Sequence, residues 1–428
     1  MTERLSGTNR RHVLAGLGAL AVPLANPGYR AFAQARARIA IVGGGFGGAT
    51  AAWSLRRLLP DADITLVEPN PIYTACPFSN LVIGGTRALD AQSFSYAALA
   101  QSGVRVIHAR AIAIDASLKQ VRLEDGALLT YDRLILSPGI DFRWGAIEGY
   151  DRAAAQSAPH AWKAGAQTAR LRDQLAAMDD GGLVVMSVPA PPFRCPPGPY
   201  ERASLIANYL KTRKPRSKLL ILDHQDSFSK MPLFREAWAE YYPDHLEWRG
   251  ASDDGRVSRF DAGSLTLSTD FEEIGADVAN IIPPQKAGEI AHSAGVADAT
   301  GWCPINATSF ESTIQDGIHV IGDATIAAPM PKSAFSANLQ AKICAISVAR
   351  LVSGMEPEST VLANTCYSFV APDQAVSISG VYSNDRGQFT AIDGAGGLTP
   401  VGSASGIRSA EASQAETWFA SITGEAFG

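Results

Sequence analysis

Residues 38–48 read Arg38-Ile39-Ala40-Ile41-Val42-Gly43-Gly44-Gly45-Phe46-Gly47-Gly48. Ile39–Val42 predicts a short buried strand, and Gly43, Gly45 and Gly48 fit G-x-G-x-x-G directly after it. The glycines allow a tight turn, close backbone approach to a pyrophosphate, and close packing of the next helix on the strand. That helix, expected over Ala49–Leu59, presents unpaired N–H groups and a positive dipole end to phosphate. About twenty residues past Gly48, a second strand, Ile64–Val67, ends in Glu68, the residue type that binds a ribose hydroxyl. A lone glycine motif is weak. Strand, glycines, helix, strand and terminal acid together predict a bound dinucleotide.

Outward from this unit, a strand at Tyr131–Leu136 ends in the tight Ser137-Pro138-Gly139 turn. A second strand–helix–strand pattern follows: Leu183–Val188, Glu201–Leu210 and Lys218–Leu222, closed by Asp223. Its phosphate loop is replaced by the proline-rich run Pro189–Pro199, and proline lacks the N–H that would cradle phosphate. The expectation is a second dinucleotide unit that has lost its NAD(P) site. Ile318–Asp323 then reads as a strand ending in Gly322-Asp323, where a carboxylate can accept from a flavin ribityl hydroxyl, with a long helix over Pro331–Arg350 behind it. From about Pro357 a smaller region carries short strands (Ala375–Tyr382, Gln388–Ile392) and a helical turn containing Trp418, Phe419 and Ile422. Together these readings indicate FAD.

The 428 residues contain no stretch long and apolar enough to span a bilayer, so no stable membrane insertion is expected. At the N-terminus, Arg10-Arg11 precedes the uncharged run Val13–Pro27, and Ala31-Phe32-Ala33 is a small-x-small cleavage site. This is the pattern of a twin-arginine signal peptide and implies periplasmic export. Removing residues 1–33 leaves 33 basic against 41 acidic side chains, a poor balance for a nucleic-acid partner. The histidines lack metal-ligand spacing, and there is no C-x-x-C-H, so neither a metal site nor a haem is expected on this chain. An oxidising compartment makes a disulfide among the five cysteines plausible.

Specific stretches resemble the flavoprotein subunit of flavocytochrome c sulfide dehydrogenase, a relative of sulfide:quinone oxidoreductase. They are Tyr73–Gly84, Arg194–Ala203, Gly301–Pro304, Ile318–Thr325, Pro331–Asn338, Asn364–Ser368 and the terminal Trp418–Gly428, so the resemblance runs through the whole chain after the signal peptide. It implies an α/β fold of two Rossmann-like, glutathione-reductase-like dinucleotide-binding domains with a smaller C-terminal α+β region. The expected boundaries are 1–33 signal peptide, 34–155 first part of the FAD domain, 156–275 second Rossmann-like domain, 276–355 FAD-domain return, and 356–428 C-terminal interface domain.

The resemblance further implies FAD covalently linked at Cys76, with Gly43, Gly45, Gly48, Glu68, Gly322 and Asp323 as its other binding residues. Cys195 and Cys366 match the family's redox-active disulfide. Both stand in turn-like or polar surroundings rather than in an apolar periodic run. A purely structural bridge is the alternative, since a loop this long would constrain the unfolded chain by roughly 4–5 kcal/mol. Glu201 matches a glutamate beside the active site, where it can assist proton transfer, and equally reads as a first-turn acid complementing the helix dipole. Cys303 and Cys344 read as packing residues. The implied activity is oxidation of sulfide to sulfur or polysulfide, with electrons passed to a separate c-type cytochrome subunit near Trp418. Two other readings remain open: a sulfide:quinone oxidoreductase, or a non-catalytic electron-transfer subunit with a structural disulfide.

Overall fold

The computed structural model describes residues 36–428. The expected signal peptide lies outside the described residues. Arg38–Val42 is the central strand of a five-stranded sheet ordered Ile318–Val320, Arg133–Leu136, Arg38–Val42, Asp63–Val67, Arg105–Ile107, with every pair parallel. Ile41 sits between Leu66 and Ile135, and all three are fully buried. Burial on both faces explains why this strand is continuously apolar rather than alternating. The helix Phe46–Leu58 starts immediately after Gly45, three residues before the expected position. Behind it packs Ala334–Val352, whose Ser333 caps the helix by accepting from Ser336 N, worth about 1 kcal/mol. Asn338 donates to Thr50 Oγ1 at 2.9 Å and links the two helices.

The second unit is a four-stranded parallel sheet ordered Leu246–Arg249, Lys218–Asp223, Leu183–Val188, Val278–Ile281, with the helix Gly198–Arg213 crossing from the third strand to the second. Beyond residue 356, the long antiparallel pair Val361–Ala371 and Gln374–Ser383 carries two short additional strands, Thr390–Ala391 and Gly397–Leu398. The helix Ser405–Phe427 packs on this sheet and on Phe46–Leu58. Two Rossmann-like parallel-sheet regions and a smaller mixed region thus agree with the expected fold class.

Two local expectations are corrected. Cys366 does not lie in a turn: it is in the middle of Val361–Ala371, on the inward face with Leu362, Asn364 and Ser368. Two of those inward residues are polar amide or hydroxyl side chains, which hid the apolar alternation of a strand. The C-terminal helical turn is a helix of 23 residues, built largely from Ala, Ser, Gly and Thr, whose small side chains carry little hydrophobic period. Further along the first unit, a short strand, Ser93–Ser95, leads into the helix Ala97–Gln101. Among the described residues no helix is long and apolar enough to cross a membrane.

Candidate active site

A cavity of about 960 Å³ opens where the strands of the first sheet end at their carboxyl edge. That volume is at the upper end for a ligand pocket, and this edge is where open parallel sheets bind their ligands. Gly43 lies at its floor in left-handed backbone (φ 100°), and its N donates to Val67 O at 2.9 Å. A Cβ on Gly43 would lie 2.2 Å from Ser137 O, so only glycine allows the first strand's turn to meet that of Arg133–Leu136. Gly45 is the residue before the helix and lines the cavity; a Cβ there would meet only the Tyr73 ring, at 3.5 Å. Gly48 does not reach the cavity, because its Cα packs against Gly43 O, which would lie 1.8 Å from a Cβ.

Glu68 lines the cavity at the end of Asp63–Val67. Its Oε2 accepts from Gly44 N at 2.9 Å and its Oε1 from Asn70 N and Nδ2 at 3.0 and 2.8 Å, so it braces the glycine turn as well as facing the pocket. Tyr96 adds a second brace, donating to Gly44 O at 2.9 Å. At the opposite wall Gly322 (φ 75°) donates to Gln340 Oε1, and Asp323 follows it. Asp323 Oδ1 is buried without a partner, and Oδ2 is 3.9 Å from Arg194 Nη1, while Arg194 Nη2 is also unpartnered. Burial raises the Asp323 carboxyl, and Arg194 and Lys332 pull it back down. An orphaned carboxylate oxygen and an orphaned guanidinium nitrogen, both lining one cavity, fit the ribityl hydroxyls and ring carbonyls of a flavin.

The sulfur residues converge on the same cavity from three parts of the chain: Cys76, Cys195 and Cys366 all line it. Cys195 is held in left-handed backbone (φ 55°) by Cys195 N donating to Lys332 O and Gly198 N donating to Cys195 O, both at 2.8 Å. Burial raises its thiol well above the usual range, with Cys366 and Glu201 adding to this and Lys230 and Arg194 opposing it. Cys366 Sγ accepts from Asn364 Nδ2 at 3.3 Å, and Asn364 Oδ1 is fixed in turn by the Ser333 and Ser336 hydroxyls. The expected Cys195–Cys366 disulfide is not formed. All five cysteines are free thiols, and each sulfur of the pair has a separate neighbour: Gly198 beneath Cys195 and Asn364 beside Cys366.

Glu201 is in the first turn of Gly198–Arg213, as the dipole reading expects, and also lines the cavity, as the active-site reading expects. Its Oε1 accepts from Phe369 N at 2.9 Å and its Oε2 from Asn80 Nδ2 at 2.7 Å. Burial raises this carboxyl, and those two hydrogen bonds partly offset the rise. Asn80 is oriented by Arg202 Nε, whose buried guanidinium also donates to His160 O, Ala161 O and Asn280 Oδ1. Trp418 lines the cavity too, parallel to the Phe335 ring at 6.2 Å. Cys303 and Cys344 are fully buried, and burial pushes the Cys303 thiol up to about 12.

Sequence reasoning missed Arg194, Asn80, Asn364 and Lys230. The first three stand inside stretches quoted for the family resemblance and carried a signal by position. Lys230 stands in Phe228-Ser229-Lys230, which has none.

Three family models match the chain in succession: pyridine nucleotide-disulphide oxidoreductase over residues 37–177, the central part of the sulfide dehydrogenase [flavocytochrome c] flavoprotein chain over 168–283, and the flavin-binding part of flavocytochrome c sulphide dehydrogenase over 358–427. The chain belongs to the FAD-binding disulfide-oxidoreductase flavoproteins related to sulfide:quinone oxidoreductase and flavocytochrome c sulfide dehydrogenase. It is 20% identical to the mitochondrial sulfide:quinone oxidoreductase of Mus musculus, over 74% of this chain and 72% of that one. It is 56% identical over 45 residues to the sulfide dehydrogenase [flavocytochrome c] flavoprotein chain of Chlorobaculum thiosulfatiphilum, covering 10% of this chain and 94% of that sequence. Among solved structures, the sulfide:quinone oxidoreductase of Aquifex aeolicus shares the fold with a TM-score of 0.69 at 18% identity, covering 91% of this chain and 92% of that one.

The expected cofactor set, a tethered FAD with no NAD(P), is corrected. The fold is also that of the water-forming NADH oxidase of Lactobacillus brevis solved with NADH (TM-score 0.59, 17% identity, 91% of each chain). It is shared as well with a NAD-dependent persulfide reductase of A. fulgidus (TM-score 0.60, 15% identity, 88% of this chain and 77% of that one). Prolines in one loop remove donors from that loop, but the four-stranded parallel sheet of the second unit is intact here, so the exclusion does not follow. Cys76 is a half-buried free thiol whose Sγ is 3.9 Å from Trp162 O, a weak contact that does not mark it as an attachment point.

Proposed function

We propose that this chain is an FAD-dependent sulfide oxidoreductase in which Cys195 and Cys366 handle the sulfur. The observation that carries the reading is the convergence, on one cavity with the dinucleotide turn, of two cysteines 171 positions apart. Gly43, Gly45, Glu68, Gly322, Asp323 and Arg194 would hold FAD there. When bound, FAD supplies a two-electron acceptor able to pass electrons on singly.

The chain's own chemistry takes place at sulfur. In the oxidised pair, HS⁻ attacks the Cys195 sulfur, the Cys195–Cys366 bond breaks, a persulfide remains on Cys195, and the electron pair leaves on Cys366 as thiolate. Glu201, held by Phe369 N and Asn80, is positioned to take or return a proton beside the pair. A second HS⁻ attacks the outer sulfur of the persulfide: a new S–S bond forms, the bond to Cys195 breaks with its electron pair left on Cys195 as thiolate, and the sulfur leaves as a two-sulfur polysulfide. Both cysteines end reduced, and the two electrons that must leave the pair to restore its disulfide are those FAD would accept.

For the acceptor, the relatives that span most of the chain favour a quinone. The matches over 168–283 and 358–427 favour the second reading, a c-type cytochrome. Export by the twin-arginine route to the periplasm belongs with that second reading and is supported by Arg10-Arg11, the uncharged run and Ala31-Phe32-Ala33. Sulfide-driven turnover with a soluble quinone and with cytochrome c separates the two. The first reading expects the quinone to support faster turnover; cytochrome c as the faster acceptor would reverse the assignment.

A further inference from the structure

Lys230 stands behind the cysteine pair, outside the cavity wall, in left-handed backbone (φ 63°) before the helix Met231–Tyr241. It is 5% exposed. Its Nζ spends its three hydrogens on Cys366 O at 2.9 Å, Ser368 Oγ at 2.8 Å and Val376 O at 3.2 Å. All three acceptors are neutral, so these bonds orient the ammonium without neutralising it. A buried charge left in that state is costly unless a negative partner forms nearby. The titratable groups facing it are Cys366 from its strand, Cys195 from the proline-rich loop, Glu201 from the helix Gly198–Arg213 and Glu411 from the C-terminal helix. Tyr382 from the adjacent strand faces Cys366, and Arg194 faces Cys195.

We propose that Lys230 is a positioning residue whose buried ammonium stabilises the negative charge left on the cysteine pair when sulfide opens its disulfide. The proposal rests on the Cys195–Cys366 reading above. In that step one S–S bond forms between HS⁻ and Cys195, one breaks between Cys195 and Cys366, and the electron pair of the broken bond stays on the Cys366 sulfur. The hydrogen bond to Cys366 O ties the ammonium to the residue that receives this charge. Burial lowers the lysine to about 8, with Cys366, Glu201 and Cys195 opposing the fall. It is therefore charged below that pH, and its support is lost as pH rises through about 8.

The test uses the reduced full-length flavoprotein, wild type and the Lys230→Met and Lys230→Arg variants. Alkylation of Cys195 and Cys366 by iodoacetamide is followed by peptide mass against pH. Because the two thiols are coupled, the profile belongs to the pair. Lys230→Met is expected to move its midpoint up by about one to three pH units, the usual effect of losing a nearby opposite charge. A Lys230→Met profile that superposes on wild type overturns the proposal, since a lysine that only ties strands together would leave thiol titration unmoved. Where Lys230→Met does not fold, Lys230→Arg decides: its guanidinium keeps its charge, so the loss of sulfide turnover above about pH 8 in wild type should vanish. An unchanged high-pH limb in Lys230→Arg also overturns it. The alkylation profile needs no sulfide, so failure of the disulfide reading and failure of the lysine's role give different results.

Discussion

Cys195→Ser is expected to lower sulfide-dependent reduction of the flavin by about 10³-fold or more, the scale seen when a reacting nucleophile is removed from its unit. A serine oxygen cannot form the bond to Cys366 that sulfide must break, so no electrophilic sulfur is left in the cavity. The substitution is otherwise mild. Both hydrogen bonds that hold Cys195 are made by its backbone, to Lys332 O and from Gly198 N, and survive unchanged. The fold and flavin content should therefore match wild type, which makes the rate loss interpretable. The competing structural-bridge reading expects the reverse pattern: stability falling by about 4–5 kcal/mol, as loop-closure entropy returns to the unfolded chain, with the rate unaffected. Stopped-flow flavin absorbance and thermal unfolding of the same sample separate the two. A wild-type bleaching rate in Cys195→Ser would remove the pair from the mechanism.

The second large effect is expected at Gly48. Gly48→Ala would place a methyl 1.8 Å from Gly43 O and 3.4 Å from Ile41 Cγ2, where neither the backbone oxygen nor the central strand can yield. Overpacking of this kind costs about 3 kcal/mol, and here it deforms the phosphate turn itself. The expected outcome is a protein that loses flavin and unfolds at much lower denaturant. Gly45→Ala is the control. Its methyl would meet only the Tyr73 ring at 3.5 Å, an ordinary contact, so the fold should persist while the cofactor-facing wall is crowded. Denaturant unfolding and flavin fluorescence on release read both variants. Equal stability of Gly48→Ala and wild type would contradict the packing role.

The dinucleotide unit was legible because several independent signals coincide in a short span: a strand apolar on both faces, three glycines each with a distinct steric reason, and an acid at the next strand's end. The second sheet was legible from the same pattern. Its ligand was not, because Pro189–Pro199 removes donors from one loop while the four-stranded parallel sheet itself stays intact. Cys366 lines the cavity, but from a strand rather than from a turn. Asn364, Cys366 and Ser368 face inward, so the strand lacks the apolar alternation that identifies strands in sequence. The long C-terminal helix was missed for a related reason: residues such as Ala412, Ala415 and Ala426 allow close approach to its neighbours and carry almost no hydrophobic signal. Lys230 had no sequence signature at all. Its partners are at 366, 368 and 376, and only the folded register of two strands brings them to one ammonium.

Distance along the chain also explains how the site is assembled. Cys76 and Asn80 follow the first unit, Cys195 and Glu201 open the second, and Cys366 belongs to the C-terminal sheet. The Arg202–Asn80–Glu201–Phe369 hydrogen-bond chain links all three regions and holds the cavity wall in register. The Arg202–Asn80 link is buried and the two links to Glu201 are half-buried, so loss of the Arg202–Asn80 bond would leave a polar group unpaired, at about 1–3 kcal/mol.

The most direct measurement is an anaerobic titration of the FAD-loaded protein with sulfide, followed by its visible spectrum and by the mass of the Cys195 peptide. The account predicts stoichiometric loss of oxidised-flavin absorbance together with one added sulfur atom on Cys195. An unchanged spectrum under excess sulfide, or bleaching with no sulfur on Cys195 at any point in the titration, would contradict it.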